Sequence, residues 1–119
     1  MRSPTVADVH QRGSVSAEFA AVLPAVALVL VAALLCLQVA GDQLRLQDAS
    51  ADAARSLSRG DGADVAASRL GAVIAGAQLT VRHRGDLVCV DVRARSGGAA
   101  GLLAALPLHA TGCALDGGR

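Results

Sequence analysis

Gly13-Ser14-Val15-Ser16-Ala17-Glu18-Phe19 heads the apolar run around which this chain is organised. From Phe19 to Val39 only Pro24 and Gln38 interrupt that run. As a helix, these roughly 21 residues extend about 31 Å at ~1.5 Å per residue. A bilayer's hydrocarbon core is about 30 Å thick, so the run is long enough to span it. One carboxylate, Glu18, stands at the head of the run, with Arg2 and Arg12 upstream against Asp8.

Three fates are open to such a segment. A secretory signal peptide would use the small residues Val39-Ala40-Gly41 for cleavage, but its apolar region is usually about 7–15 residues, shorter than this one. A lipoprotein would need a small residue before the modified cysteine, whereas Leu34-Leu35 precede Cys36. The third fate is a permanent anchor whose short leader is clipped off ahead of it. Cys36 lies inside the run and reads as a small apolar filler.

Glu18 has two readings. A carboxylate near a helix N-terminus gains about 0.3–1 kcal/mol from the helix dipole and needs no partner. Held at the edge of a membrane, the same carboxylate is costly and calls for a positive partner. Pro24 lacks an N–H for the carbonyl of Ala20, so a mild kink is expected in the run. Ala17, Ala21 and Ala25 form a small-residue face that would let another helix approach closely; alanine abundance explains them equally well. The leader is basic, whereas Asp42, Asp48, Asp52, Asp61 and Asp64 outnumber Arg45, Arg55 and Arg59 after the run. The positive-inside rule then puts the N-terminus in the cytoplasm and the remainder outside.

The chain has 119 residues and a formal net charge of +1, which gives no field for nucleic acid. Phe19 is its only aromatic residue, so any water-soluble part must pack Leu, Val, Ile and Ala alone. Such a thin core leans on a cross-link or a neighbour. Every Lys/Arg position is Arg, which reads as coding bias.

Beyond Gly41 helical character persists. Leu46, Ala49, Ala53 and Leu57 share one face, and Asp42 with Arg45 and Asp52 with Arg55 are i,i+3 pairs on exposed faces. One helix is expected from about Ser16 to Arg59, stopped by Gly60-Asp61-Gly62. Its first half is greasy all round and its second half amphipathic. A second, short helix carrying Val65, Ala66, Leu70, Val73 and Ile74 is expected over 63–76, with Asp64 as N-cap.

Gln78 to Arg84, Gly85-Asp86, and Leu87 to Arg95 read as a hairpin with a two-residue loop. That loop sets Val81 opposite Val90, Leu79 opposite Val92 and His83 opposite Val88. Leu79, Val81, Val88, Val90 and Val92 then share one face, and Gln78, Thr80, Arg82, Cys89, Asp91 and Arg93 the other. The amphipathic half of the long helix is the expected cover for the apolar face. Residues 96–101 read as a flexible connection, Leu102 to Leu106 as a helical turn, and 107–114 as a third, edge strand opened by Pro107.

The fold class expected is therefore α+β: a long N-terminal helix, a short second helix and an antiparallel sheet of two or three strands. Cys89 and Cys113 fall on the same polar face in neighbouring elements. An oxidising compartment permits a disulfide between them, and closing that loop contributes about 3–4 kcal/mol by loop entropy. No catalytic constellation is visible. His10, His83 and His109 are scattered, with no metal-ligand spacing, and the glycine-rich pieces fit no phosphate loop. Neither a cofactor nor a catalytic residue is assigned.

Gly13 followed by Glu18 resembles the cleavage signature of type IV prepilins, in which a membrane aspartyl peptidase cuts after the glycine. The order of features resembles TadE-like minor pilins of actinobacterial tight-adherence (Tad/Flp) loci: a short basic leader, the Gly13–Phe19 junction, an apolar run with Leu23-Pro24, then Gln43-Leu44-Arg45 and an Ala/Arg-rich helix. The likeness is strongest over 12–60. It implies a leader at 1–13, cleavage by a prepilin peptidase between Gly13 and Ser14, a long helix at 14–60 and an extracytoplasmic head at 61–119. It also implies that Glu18 and Phe19 act in assembly, with a neighbour's free N-terminal amine as the partner of Glu18. Other pilin subunits, the assembly machinery and the lipid bilayer are the implied partners. Phe19 stands where Tyr is usual, and Ser14 where major type IV pilins carry a bulky apolar residue. The expected role is a non-enzymatic pilus component. An uncleaved single-pass anchor supporting pilus assembly or secretion, or a secreted disulfide-linked domain, are the alternatives.

Overall fold

The structure, a computed structural model, describes residues 6–103 and 105–118, and among these the side chains outside 6–13 and 118. Arg2 lies outside the described residues, and the side chains of Asp8, His10, Arg12 and Gly13 outside the described side chains. The elements are α1 (Val6–Ser58), α2 (Ala63–Val73), β1 (Gln78–Arg84), β2 (Leu87–Arg95), α3 (Gly98–Leu103), β3 (Pro107–Leu115) and a terminal 3-10 turn (Asp116–Gly118). This is the expected α+β fold. The chain divides into two compact units, Met1–Leu35 and Cys36–Arg119.

The first unit holds the start of α1. The helix begins at Val6, ten residues ahead of the expected Ser16, and continues through Pro24. Proline is tolerated inside apolar helices where the freed carbonyl finds other partners.

The second unit is a three-stranded antiparallel sheet, ordered β1-β2-β3, with the rest of α1 and α2. Hairpin and register are as the alternation predicts, with Val81 opposite Val90, Leu79 opposite Val92 and His83 opposite Val88. Gly85 has φ +57, while no non-glycine residue among the described residues has positive φ. Positive φ at the first loop position alone is the type II′ pattern, which matches the twist of the flanking strands. β3 pairs with the other edge of β2, setting Cys113 opposite Cys89 and Gly112 opposite Val90.

The core is small and aliphatic: Leu46, Ala53 and Ala54 from α1, Ala66 and Leu70 from α2, Val90, Val92 and Ala94 from β2, and Ala110 from β3. Of the four positions on the expected α1 face, Leu46 and Ala53 are buried and Ala49 and Leu57 half-buried. Four further positions of α1, Ser50, Ala54, Ser56 and Ser58, are buried with them. Ser50 is polar by type, but its Oγ donates to the Gln47 carbonyl at 2.8 Å, so it enters the core satisfied. Its own backbone reaches the sheet: a Cβ on Gly112 would lie 2.6 Å from the Ser50 carbonyl carbon and oxygen. Gly112 is thus where helix and strand backbones meet, and no other residue fits without moving them apart.

Several local expectations are corrected. Gly62 rather than Asp64 is the N-cap of α2, without a side-chain cap bond; Asp64 lies in the first turn, where its charge meets the helix dipole. α2 ends at Val73 rather than near Gly76, and Val65 and Val73 face solvent. The helical turn after β2 begins at Gly98 instead of Leu102. Ser96 N–H donates to the Leu106 carbonyl, and Leu106 N–H to Ser96 Oγ, closing the loop at its neck. Asp52 pairs with Arg55 at 3.0 Å as expected, but Asp42 accepts the Gly97 N–H at 3.2 Å, and among the described residues it forms no ion pair with Arg45.

Candidate functional site

Two parts of the molecule hold the residues singled out in the sequence. The first is the head of the apolar run. Residues 14–34 are all exposed, with Phe19 at 66% and Leu28 at 72%. α1 is the one helix among the described residues long and apolar enough to cross a membrane, and none of its most apolar window is buried. A soluble core helix of this composition would be covered; this one exposes apolar side chains all round, as a membrane span does.

Ser14 and Glu18 stand four residues apart, hence on one face of α1. Among the described residues no side-chain hydrogen bond or ion pair reaches the Glu18 carboxylate. Because α1 starts at Val6, Glu18 lies more than three turns inside it. A helix dipole's effect on charge fades beyond the first turn. The passive dipole reading of Glu18 therefore finds no support in the intact helix, and holds only for a chain that starts at Ser14. Ala17, Ala21 and Ala25 are exposed along the helix, available to a neighbour.

The second part is the outer face of the sheet. Cys89 and Cys113 are Cα partners 4.1 Å apart, the close spacing of a non-hydrogen-bonded antiparallel pair, and a disulfide joins them. Cys89 is buried although it points away from the core, because it sits on the central strand between Arg82 and Cys113. Beside it, Asp91 accepts the Thr111 hydroxyl at 2.6 Å and pairs with Arg82 at 2.6 Å. The Thr111 hydrogen bond, with the positive charge of Arg82, Arg84 and Arg93, outweighs burial and holds the Asp91 carboxyl below its ordinary range. These groups bind strand to strand across the sheet. Cys36 carries a free, exposed thiol.

A third cluster closes the turn from α1 to α2. Ser56 Oγ donates to Asp61 at 2.5 Å, and Arg69 donates to Ser56 at 3.3 Å while pairing with Asp61 at 3.6 Å. Three bonds tie the middle of α1 to the β2–β3 connection and the edge strand. They run from Gln38 Nε2 to the Gly97 carbonyl (3.0 Å), from Gly97 N–H to Asp42 and from Gln43 Nε2 to the His109 carbonyl (2.8 Å). The two amides were legible only as polar residues at the end of an apolar run. His83 and His109 are both exposed, and no group of metal-ligating side chains occurs among the described residues.

Among known proteins, no curated protein and no solved structure matches this chain. Residues 13–55 match the family of TadE-like proteins. The match opens at the glycine of the junction and ends in the last turns of α1, so it covers the exposed half of the helix and most of the buried half. The likeness is confined to residues 13–55, where this chain is similar to TadE-like proteins.

Proposed function

We infer that the chain is a non-enzymatic minor pilin or pseudopilin of a tight-adherence pilus, inserted in the membrane and assembled through the first half of α1. One observation carries the reading: a membrane-length, wholly exposed apolar helix with a single acid at its head, inside a TadE-like segment. Lipid covers that surface before assembly, and neighbouring pilin helices cover it afterwards. The N-terminus is cytoplasmic and the disulfide-linked head lies outside, where the compartment permits the bridge.

The prepilin peptidase cuts between Gly13 and Ser14. Cleavage turns Glu18 from a mid-helix residue into the fifth residue of the new chain. It then lies about one turn from the freed amine and the positive helix end. Glu18 pairs with the amine of a neighbouring subunit, and Phe19 packs beside it. Such a pair offsets the cost of holding a carboxylate at membrane depth.

The uncleaved anchor is the second reading. It is favoured by the continuity of α1 across Gly13 and Ser14, since a peptidase needs that backbone opened. The mature N-terminus separates the two. Ser14 is expected for the pilin, and an unprocessed start would establish the anchor. Glu18→Ala is expected to impair assembly and leave membrane insertion intact; normal assembly in that variant would return Glu18 to a passive role.

A further inference from the structure

The connection between β2 and β3 is held against α1 where the apolar run ends. Gln38 and Asp42 grip the two sides of the Gly97 peptide neighbourhood, and Gln43 holds the His109 carbonyl. The neck between Ser96 and Leu106 is closed by two hydrogen bonds, and Ala100 is buried. The tip nevertheless presents Leu102 at 89% exposure and Leu103 at 72%. Around the base lie Arg93 and Arg95, which line an open depression of about 800 Å³ with Pro107 and His109. Arg45 faces a neighbouring depression with Arg95 and Asp42. None of the three arginines has an ion-pair partner among the described residues, and Asp42 is the one acid lining either depression. Leucines at a tip, flanked by arginines and held beside Gln38, Asp42 and Gln43, make the pattern of an interfacial membrane contact.

We propose that the tip of the β2–β3 connection docks on the lipid surface at the end of the span, with Leu102 and Leu103 entering the acyl boundary and Arg93 and Arg95 meeting lipid phosphates. The occupant is lipid rather than another protein because the loop is fixed beside residues 38–43, at the edge of the apolar run, and because its charge is complementary to phosphate. Docking there holds the head down on the bilayer until extraction. The inference rests on the membrane reading of α1.

The chain has no Trp or Tyr, so a single introduced Trp reports alone. The full chain is reconstituted in phosphatidylcholine–phosphatidylglycerol vesicles whose acyl chains carry bromine near the headgroup in one preparation and, to read the Val29 variant at mid-bilayer, near the chain end in a second. Trp is placed singly by Leu102→Trp, by Thr80→Trp on the exposed sheet face, and by Val29→Trp within the span. Quenching of Leu102→Trp several-fold above Thr80→Trp is expected. It should weaken when Arg93→Gln and Arg95→Gln are added. If Val29→Trp is quenched while Leu102→Trp matches Thr80→Trp, docking is overturned and the span survives. A Leu102→Trp that is unquenched, but blue-shifts as protein is crowded in the vesicles, would show a second copy on the loop and also overturn it. An unquenched Val29→Trp would remove the span and the docking together.

Discussion

Two halves of one helix are treated in opposite ways. Residues 14–34 are nearly all apolar and all exposed, whereas the stretch from Leu46 to Ser58 mixes Ser, Asp, Gln and Arg with Ala and Leu yet supplies much of the core. Apolar content alone therefore does not decide burial within this chain. The second half is periodic, with one stripe turned to the sheet and charges turned away. The first half has no polar side, so no single sheet face could cover it. In the proposed function its cover comes from outside the chain.

The largest effect expected is on the buried half. Leu46 is fully buried. Leu46→Ala should cost the head about 2–5 kcal/mol in denaturant unfolding, whereas Leu30→Ala in the exposed half should leave that transition unmoved. Equal effects would break the comparison. Next is the cross-link: Cys89→Ser with Cys113→Ser should cost about 3–4 kcal/mol, and reductant should lower the Tm of the unaltered protein similarly. Gly112→Ala comes third, at about 1–3 kcal/mol, since the new methyl meets the Ser50 backbone. If it stabilised the head instead, the close approach of α1 to β3 would be wrong.

The smallest effect concerns pH. Asp91 is held below the ordinary carboxylate value, which is about 3.9. Its contribution is complete above that ordinary value and is lost as pH falls through the lowered one. The Tm of the head should accordingly drop in strong acid, and Asp91→Asn should flatten that part of the profile. An unchanged acid limb in the variant would remove Asp91 from the account.

Much of this was legible in the sequence, for reasons that differ by region. The hairpin could be placed to the residue because Gly85-Asp86 fixes the loop and a one-residue slip would turn Val88, Val90 and Val92 to solvent. That register also set Cys89 on the side from which β3 offers Cys113. The exposed helix was legible by length and composition. Ser50 was not, because a serine that satisfies itself on the preceding turn looks polar in sequence and behaves as a small core residue. Gly112 was lost among strand alternation, since only the approach of a distant helix gives it meaning. Asp64 looked like a cap because residue type favours it there, but the chain enters α2 through Gly62 and the carboxylate falls two positions late. The turn after β2 was set too far along because glycines read as flexible, whereas Gly98, at φ +60, starts α3 against the Gln38 amide.

The claim beneath all of this is that lipid covers the first half of α1. Alkaline carbonate extraction of native membranes tests it most directly. The account predicts that the protein stays in the membrane pellet and is released only by detergent. Release into the supernatant with the first half of α1 still attached would contradict it.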